Sequence, residues 1–109
     1  MYKRQLREFL AREGFKINLE QAVVSYGKVY TVMSVLFDNT LNDFDKIYPY
    51  IGKLKENLTP EAYMYVKRTV RDLKNKLKGC KFMKNFEKAD ELQYIISELD
   101  VLIGEKKNG

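Results

Sequence analysis

"NLEQAVVSYGKVYTVMSVLF", residues 18–37, decides the fold, because it reads in two ways. Asn18, with Gln21 three residues on, forms a capping-box pattern. Behind it Leu19, Ala22, Tyr26, Val29, Met33 and Leu36 recur in alternating threes and fours, the period of one helix face. The rival reading takes the β-branched residues and Gly27-Lys28 as a β-hairpin turning at Gly27. The cap and the unbroken period favour the helix. With so few charges it would be the buried central helix of a bundle.

The flanking segments read as helices too. Leu6, Phe9 and Leu10 stand at helical spacing, and Gly14 suits the residue after the helix end, with Phe15 placed to pack back on it. Thr40 with Asp43 offers a further cap. Phe44, Ile47, Ile51, Leu54 and Leu58 then continue a helix period through Pro49, where a kink or break is expected. Thr59-Pro60-Glu61 marks a helix start: an N-cap, a proline at the first helical position, and an acid near the positive helix end. Beyond it, Val66, Val70, Leu73, Leu77 and Cys80 form one seam, and Ala89, Leu92, Ile96, Leu99 and Ile103 form another, both with coiled-coil spacing. The expectation is an all-α fold: one domain over 1–109, a small bundle of about five helices. It ends in a long antiparallel helical hairpin over 60–104.

Composition narrows the function. The chain has 109 residues, a net charge of +5 and a pI near 9.2. That permits nucleic acid or an acidic protein as partner, and disfavours an acidic mimic of DNA. There is no His, which removes the commonest general base and the usual zinc ligands. Cys80 is the one cysteine, so no disulfide forms within the chain, and a reducing cytoplasm is the expected setting. No apolar run is long enough to span a bilayer, and no membrane partner is expected. No acid–base or nucleophile constellation emerges, so a non-enzymatic protein without cofactor is expected. "DNTLND", residues 38–43, lacks the glycine and the distal Glu of a calcium loop. Glu87 and Glu91 share a helix face without a matching His or acidic pair.

The opening "MYKRQ" is what a GTG start followed by TAT-AAG-AGA-CAG encodes, a string resembling the end of a common sequencing-transposon adaptor. On that reading residues 1–5 are not native, the gene comes from a metagenomic contig, and a further upstream segment stays open. The other reading keeps them as a basic first helix.

Charge is unevenly laid out. Lys67, Arg68, Arg71, Lys74, Lys76, Lys78, Lys81 and Lys84 crowd the segment before residue 85, against Glu61 and Asp72. After it, Glu87, Asp90, Glu91, Glu98 and Asp100 stand against Lys88. Lys67, Arg71, Lys74, Lys78 and Lys81 keep the rhythm of the neighbouring seam and so form one stripe, which, with Arg68, is the candidate nucleic-acid site. Pairing with the acidic helix would neutralise part of it. Tyr63, Tyr65 and Tyr94 either stack on bases or sit at the edge of the core.

Residues 77–99 resemble the UVR motif, on Asn85, Phe86, Glu87, Ala89, Glu91, Leu92, Ile96 and Leu99, with Leu77 and Cys80 in the first arm. That motif is a helical hairpin of bacterial nucleotide-excision-repair proteins B and C and of activators of protein-arginine kinases. Gln93 and Tyr94 stand where the family has Arg and Asp, and Asp90 where it has a second Ala. The resemblance implies docking on another hairpin, with Phe86, Leu92 and Tyr94 as partner contacts. Two functions are therefore expected in competition. One is an adaptor, accessory subunit or phage-type regulator acting on a nucleoprotein complex through the basic helix and the hairpin. The other is a structural, homo-oligomerising helical bundle without nucleic-acid affinity.

Overall fold

The computed structural model describes residues 3–39 and 44–108, with side chains as far as residue 104. The expected cap at Thr40 and Asp43 lies outside the described residues. Helix α1 (Lys3–Arg12) leads through Gly14, at φ +85°, into strand β1 (Phe15–Ser25) and strand β2 (Lys28–Phe37). One turn of helix α2 (Tyr48–Ile51) runs into a 3-10 helix (Gly52–Glu56), and two long helices follow, α3 (Pro60–Phe82) and α4 (Phe86–Asn108). The chain divides into two compact units, Met1–Tyr65 and Val66–Gly109, with the boundary inside α3.

The all-α expectation is overturned at residues 18–37, which form an antiparallel hairpin and make the fold α+β. Burial shows why. Of the six residues on the expected helix face, Ala22 and Val29 are buried and Met33 is half-buried, whereas Leu19, Tyr26 and Leu36 are exposed. Along β2 burial alternates instead: Val29, Thr31, Met33 and Val35 turn inward, and Tyr30, Val32, Ser34 and Leu36 turn outward. Both faces of the strand carry apolar residues, so a helical period can be picked out of what is really a period of two. Val23, Val24, Val29, Thr31, Val32 and Val35 are stiff at χ1 and suit a pleated strand. The turn is Tyr26-Gly27, at φ +52° and +76°, between the paired Ser25 and Lys28. A two-residue turn with both φ positive matches the strand twist.

Asn18 caps nothing. It is the extra residue of a β-bulge: Ile17 pairs with Val35, and Leu19 already pairs with Ser34. The bulge rephases β1, so that Ile17 before it and Glu20 and Ala22 after it all point inward.

Glu20 is fully buried, and so is Arg7 on α1. Their side chains meet with Arg7 Nη2 at 2.5 Å from Glu20 Oε2. Arg7 Nη1 donates to the Pro49 carbonyl at 2.9 Å, Nη2 also reaches the Tyr65 hydroxyl at 3.4 Å, and the guanidinium lies over the Tyr65 ring. Glu20 Oε1 accepts the Lys53 amide at 3.1 Å. Burial works against the charge on Arg7, but the hydrogen bond to Glu20 and the neighbouring Tyr65 outweigh it and leave its pKa above the ordinary guanidinium value. Gly52 closes the cluster. A Cβ there would stand 2.7 Å from Arg7 Nε, and its φ of +54° excludes most side chains as well. The face of α1 that is buried is thus Arg7 and Ala11, not the expected Leu6, Phe9 and Leu10, of which Phe9 is exposed.

The helix expected from Phe44 through Pro49 does not form: residues 44–47 are not helical, and Pro49 starts a helix instead of kinking one. It sits in the first turn of α2, where its missing amide costs nothing. Thr59 caps α3: its hydroxyl accepts the Ala62 amide at 3.1 Å.

In the second unit the apolar positions of both expected seams are buried, apart from half-buried Cys80 and Ile103. A coiled-coil hairpin is nevertheless not what forms. The start of α3, with buried Ala62 and Tyr65, belongs to the first unit. On α4, Ile95 is buried beside Leu92, Ile96 and Leu99, a face broader than a two-in-seven seam.

Two measurements test this account. Replacing Tyr26 by Asn, which tolerates the left-handed region, should stabilise the protein to urea by about 1 kcal/mol, and Gly27→Ala should destabilise it by about as much. Arg7→Met and Glu20→Gln should each cost about 3–5 kcal/mol, because each leaves a buried partner unmatched, whereas the Arg7→Met/Glu20→Leu double variant should recover most of that loss.

Candidate nucleic-acid interface

Helix α3 follows from its residue types. After the Thr59 cap, Lys is the commonest residue, and Lys, Arg and Leu lose little freedom in a helix. Val66, Val70, Leu73 and Leu77 are buried, which turns the next residue along, in each case, to the flank. Lys67, Arg71, Lys74 and Lys78 occupy that flank, and all are exposed. Together with Val70, Asn75, Asp100 and Ile103 they line a shallow groove within the second unit. Lys81 is exposed one turn further on. From Lys67 to Lys81 the row spans roughly 21 Å at 1.5 Å per residue.

Pairing with the acidic arm does not neutralise the row. Among the described residues, Lys67, Lys74, Lys78 and Lys81 make no ion pair, and Arg71 contacts its own neighbour Asp72, at 3.7 Å with both side chains exposed. An exposed pair of that kind holds little energy and leaves the guanidinium accessible. Arg68, expected among the contacts, is half-buried, does not line the groove, and has an interaction of its own.

The turn between α3 and α4 exposes three large apolar side chains. Phe82 is 85% exposed, Met83 74% and Phe86 61%. The turn itself is well tied. Lys84 takes φ +60°, the Asn85 amide donates to the Cys80 carbonyl at 2.8 Å, and Asn85 Oδ1 accepts the Lys88 amide at 3.3 Å. Of the expected partner contacts, Phe86 and Tyr94 are exposed, whereas Leu92 is fully buried and offers no surface. Tyr65 is buried beneath Arg7, so its ring is not presented to a base, and Tyr63 is half-buried. Phe82 and Met83 escape the sequence reading because they fall between the two seams. The signal that could have found Phe82 is its place four residues after Lys78, which continues the cationic row.

The outward face of the hairpin is the other exposed apolar surface. Leu19 on β1 and Tyr30, Val32 and Leu36 on β2 are each about half exposed, and Lys16 and Lys28 are the exposed charges on these strands.

No helix of the described residues is long and apolar enough to cross a membrane. No protein-family model, curated protein or solved structure matches the chain.

Proposed function

We propose that this is a non-enzymatic binding protein that lays nucleic acid along α3, with Lys67, Arg71, Lys74, Lys78 and Lys81 contacting successive phosphates. It would serve as an accessory subunit or a phage-type regulator on a nucleoprotein complex, with the turn around Phe86 as the contact to protein. The observation that carries this reading is the row of exposed cations whose ammonium groups have no carboxylate partner among the described residues. An ammonium group paired within its own fold must lose that partner before it can neutralise a phosphate. An unpaired one releases counterions at no such cost. The resemblance of residues 77–99 to the UVR motif supports protein docking at the same end of α3 and α4.

The row makes binding strongly salt-dependent. Five phosphate contacts give a slope of log K against log salt of about −3.5 for a single strand and about −4.5 for a duplex. Fluorescence anisotropy over a salt series measures it. Replacing Arg71, Lys74 and Lys78 by Glu should abolish binding while leaving the urea midpoint near that of the parent, since all three side chains are exposed. Unchanged binding by that variant would remove the row from the function.

A second reading is self-association through the hairpin's outward face, with a second copy of this chain as the occupant. Each copy carries +5, so two copies repel except where a surface is uncharged. The band of Leu19, Tyr30, Val32 and Leu36 is such a surface, with its lysines at the two ends. Sedimentation should then show a concentration-dependent dimer that Val32→Lys dissolves. A monomer at every concentration rejects this reading.

A further inference from the structure

We infer that the ligand of the α3 row is single-stranded nucleic acid, with its backbone along Lys67, Arg71, Lys74 and Lys78 and a base stacked on Phe82. This rests on the proposed nucleic-acid reading and narrows it to one class of strand.

The aromatic ring at the end of the row favours an unpaired base. Phe82 follows Lys78 by four residues, so the cationic row ends on an aromatic side chain on the same flank of the helix. That ring is 85% exposed, and Lys81 and Lys84 on either side of it are exposed too. An exposed ring among cations matches a base joined to its own phosphates: the base covers the apolar face and the phosphates meet the ammonium groups. In a duplex the bases are already stacked on one another and offer no face to Phe82.

The length of the row also favours a single strand. From Lys67 to Phe82 the row covers roughly 22 Å in a straight line. A duplex turns once in about 34–36 Å, so over that length either strand winds past half a turn and carries its phosphates to the far side. A flexible single strand can follow the whole row. The side of α3 next to the row is closed by the burial of Val66, Val70, Leu73 and Leu77, so a strand reaches the row from its open flank.

The test uses the full chain with a fluorescein-labelled homopyrimidine strand about 12 nucleotides long and a duplex of the same length. The expected result has three parts. The single strand binds more tightly than the duplex. Phe82→Leu, which keeps an apolar side chain but removes the ring, weakens single-strand binding about 5- to 150-fold, the value of one base–aromatic stack. Phe82→Trp retains it, and duplex binding is indifferent to either change. Equal losses on strand and duplex, or no loss with Phe82→Leu, overturn the assignment. So does a Phe82-dependent affinity for anionic phospholipid vesicles without one for the oligonucleotide, which would make the tip a lipid contact. The charge-reversed variant separates the two levels: if it abolishes binding and Phe82→Leu does nothing, only the single-strand assignment fails. If it binds like the parent, the nucleic-acid reading itself fails.

Discussion

The first unit is organised around a buried ion pair, Arg7 with Glu20. Two charges without water are costly, and their mutual attraction offsets that cost only when further hydrogen bonds satisfy both groups. Here those bonds come from separate parts of the unit. Pro49 supplies a carbonyl, Lys53 an amide, and Tyr65 a hydroxyl and a ring face. Arg7 Nε alone in the pair is left without a partner. The pair therefore specifies an arrangement. α1, β1, α2 and the start of α3 must all be in place before either charge is tolerable in the interior.

Two local irregularities exist for that pair. Without the bulge at Asn18, a strand with Ile17 inward would turn Glu20 to solvent, because successive side chains alternate. Without glycine at residue 52, the backbone could not pass beside the guanidinium. An asparagine and a glycine that look like ordinary turn and cap residues are thus fixed by an interaction with helix α1. The second unit is simpler. α3 and α4 bury aliphatic side chains, and what α3 does not bury it offers as a cationic flank running into Phe82.

The candidate site was more legible than the fold. The rhythm of Lys67, Arg71, Lys74, Lys78 and Lys81 depends only on helix geometry, and α3 is capped by Thr59 as its residues imply. Leu92 and Phe82 were not legible in the same way. Seam spacing marks Leu92 as apolar and inward or partner-facing without distinguishing the two, and a residue at a turn has no period from which its exposure could be read.

By itself, the sequence determined the local elements whose causes are local. These are the start of α3, the turn of the chain at Gly14, and the cationic row. Their physics lies within a few residues: a hydroxyl reaching an amide, a ring that lacks a donor, a backbone angle only glycine adopts freely, a rise of 1.5 Å per residue. Tertiary structure alone decided residues 18–37. An apolar, β-branched run with both faces filled satisfies a helical and a strand period at once, and Tyr26-Gly27 is a weaker turn signal than Asn-Gly because tyrosine disfavours positive φ. What separated the two outcomes was a set of partners remote from that turn in the chain on either side. Arg7 and Tyr65 surround Glu20, and only a bulged strand brings Glu20 to them.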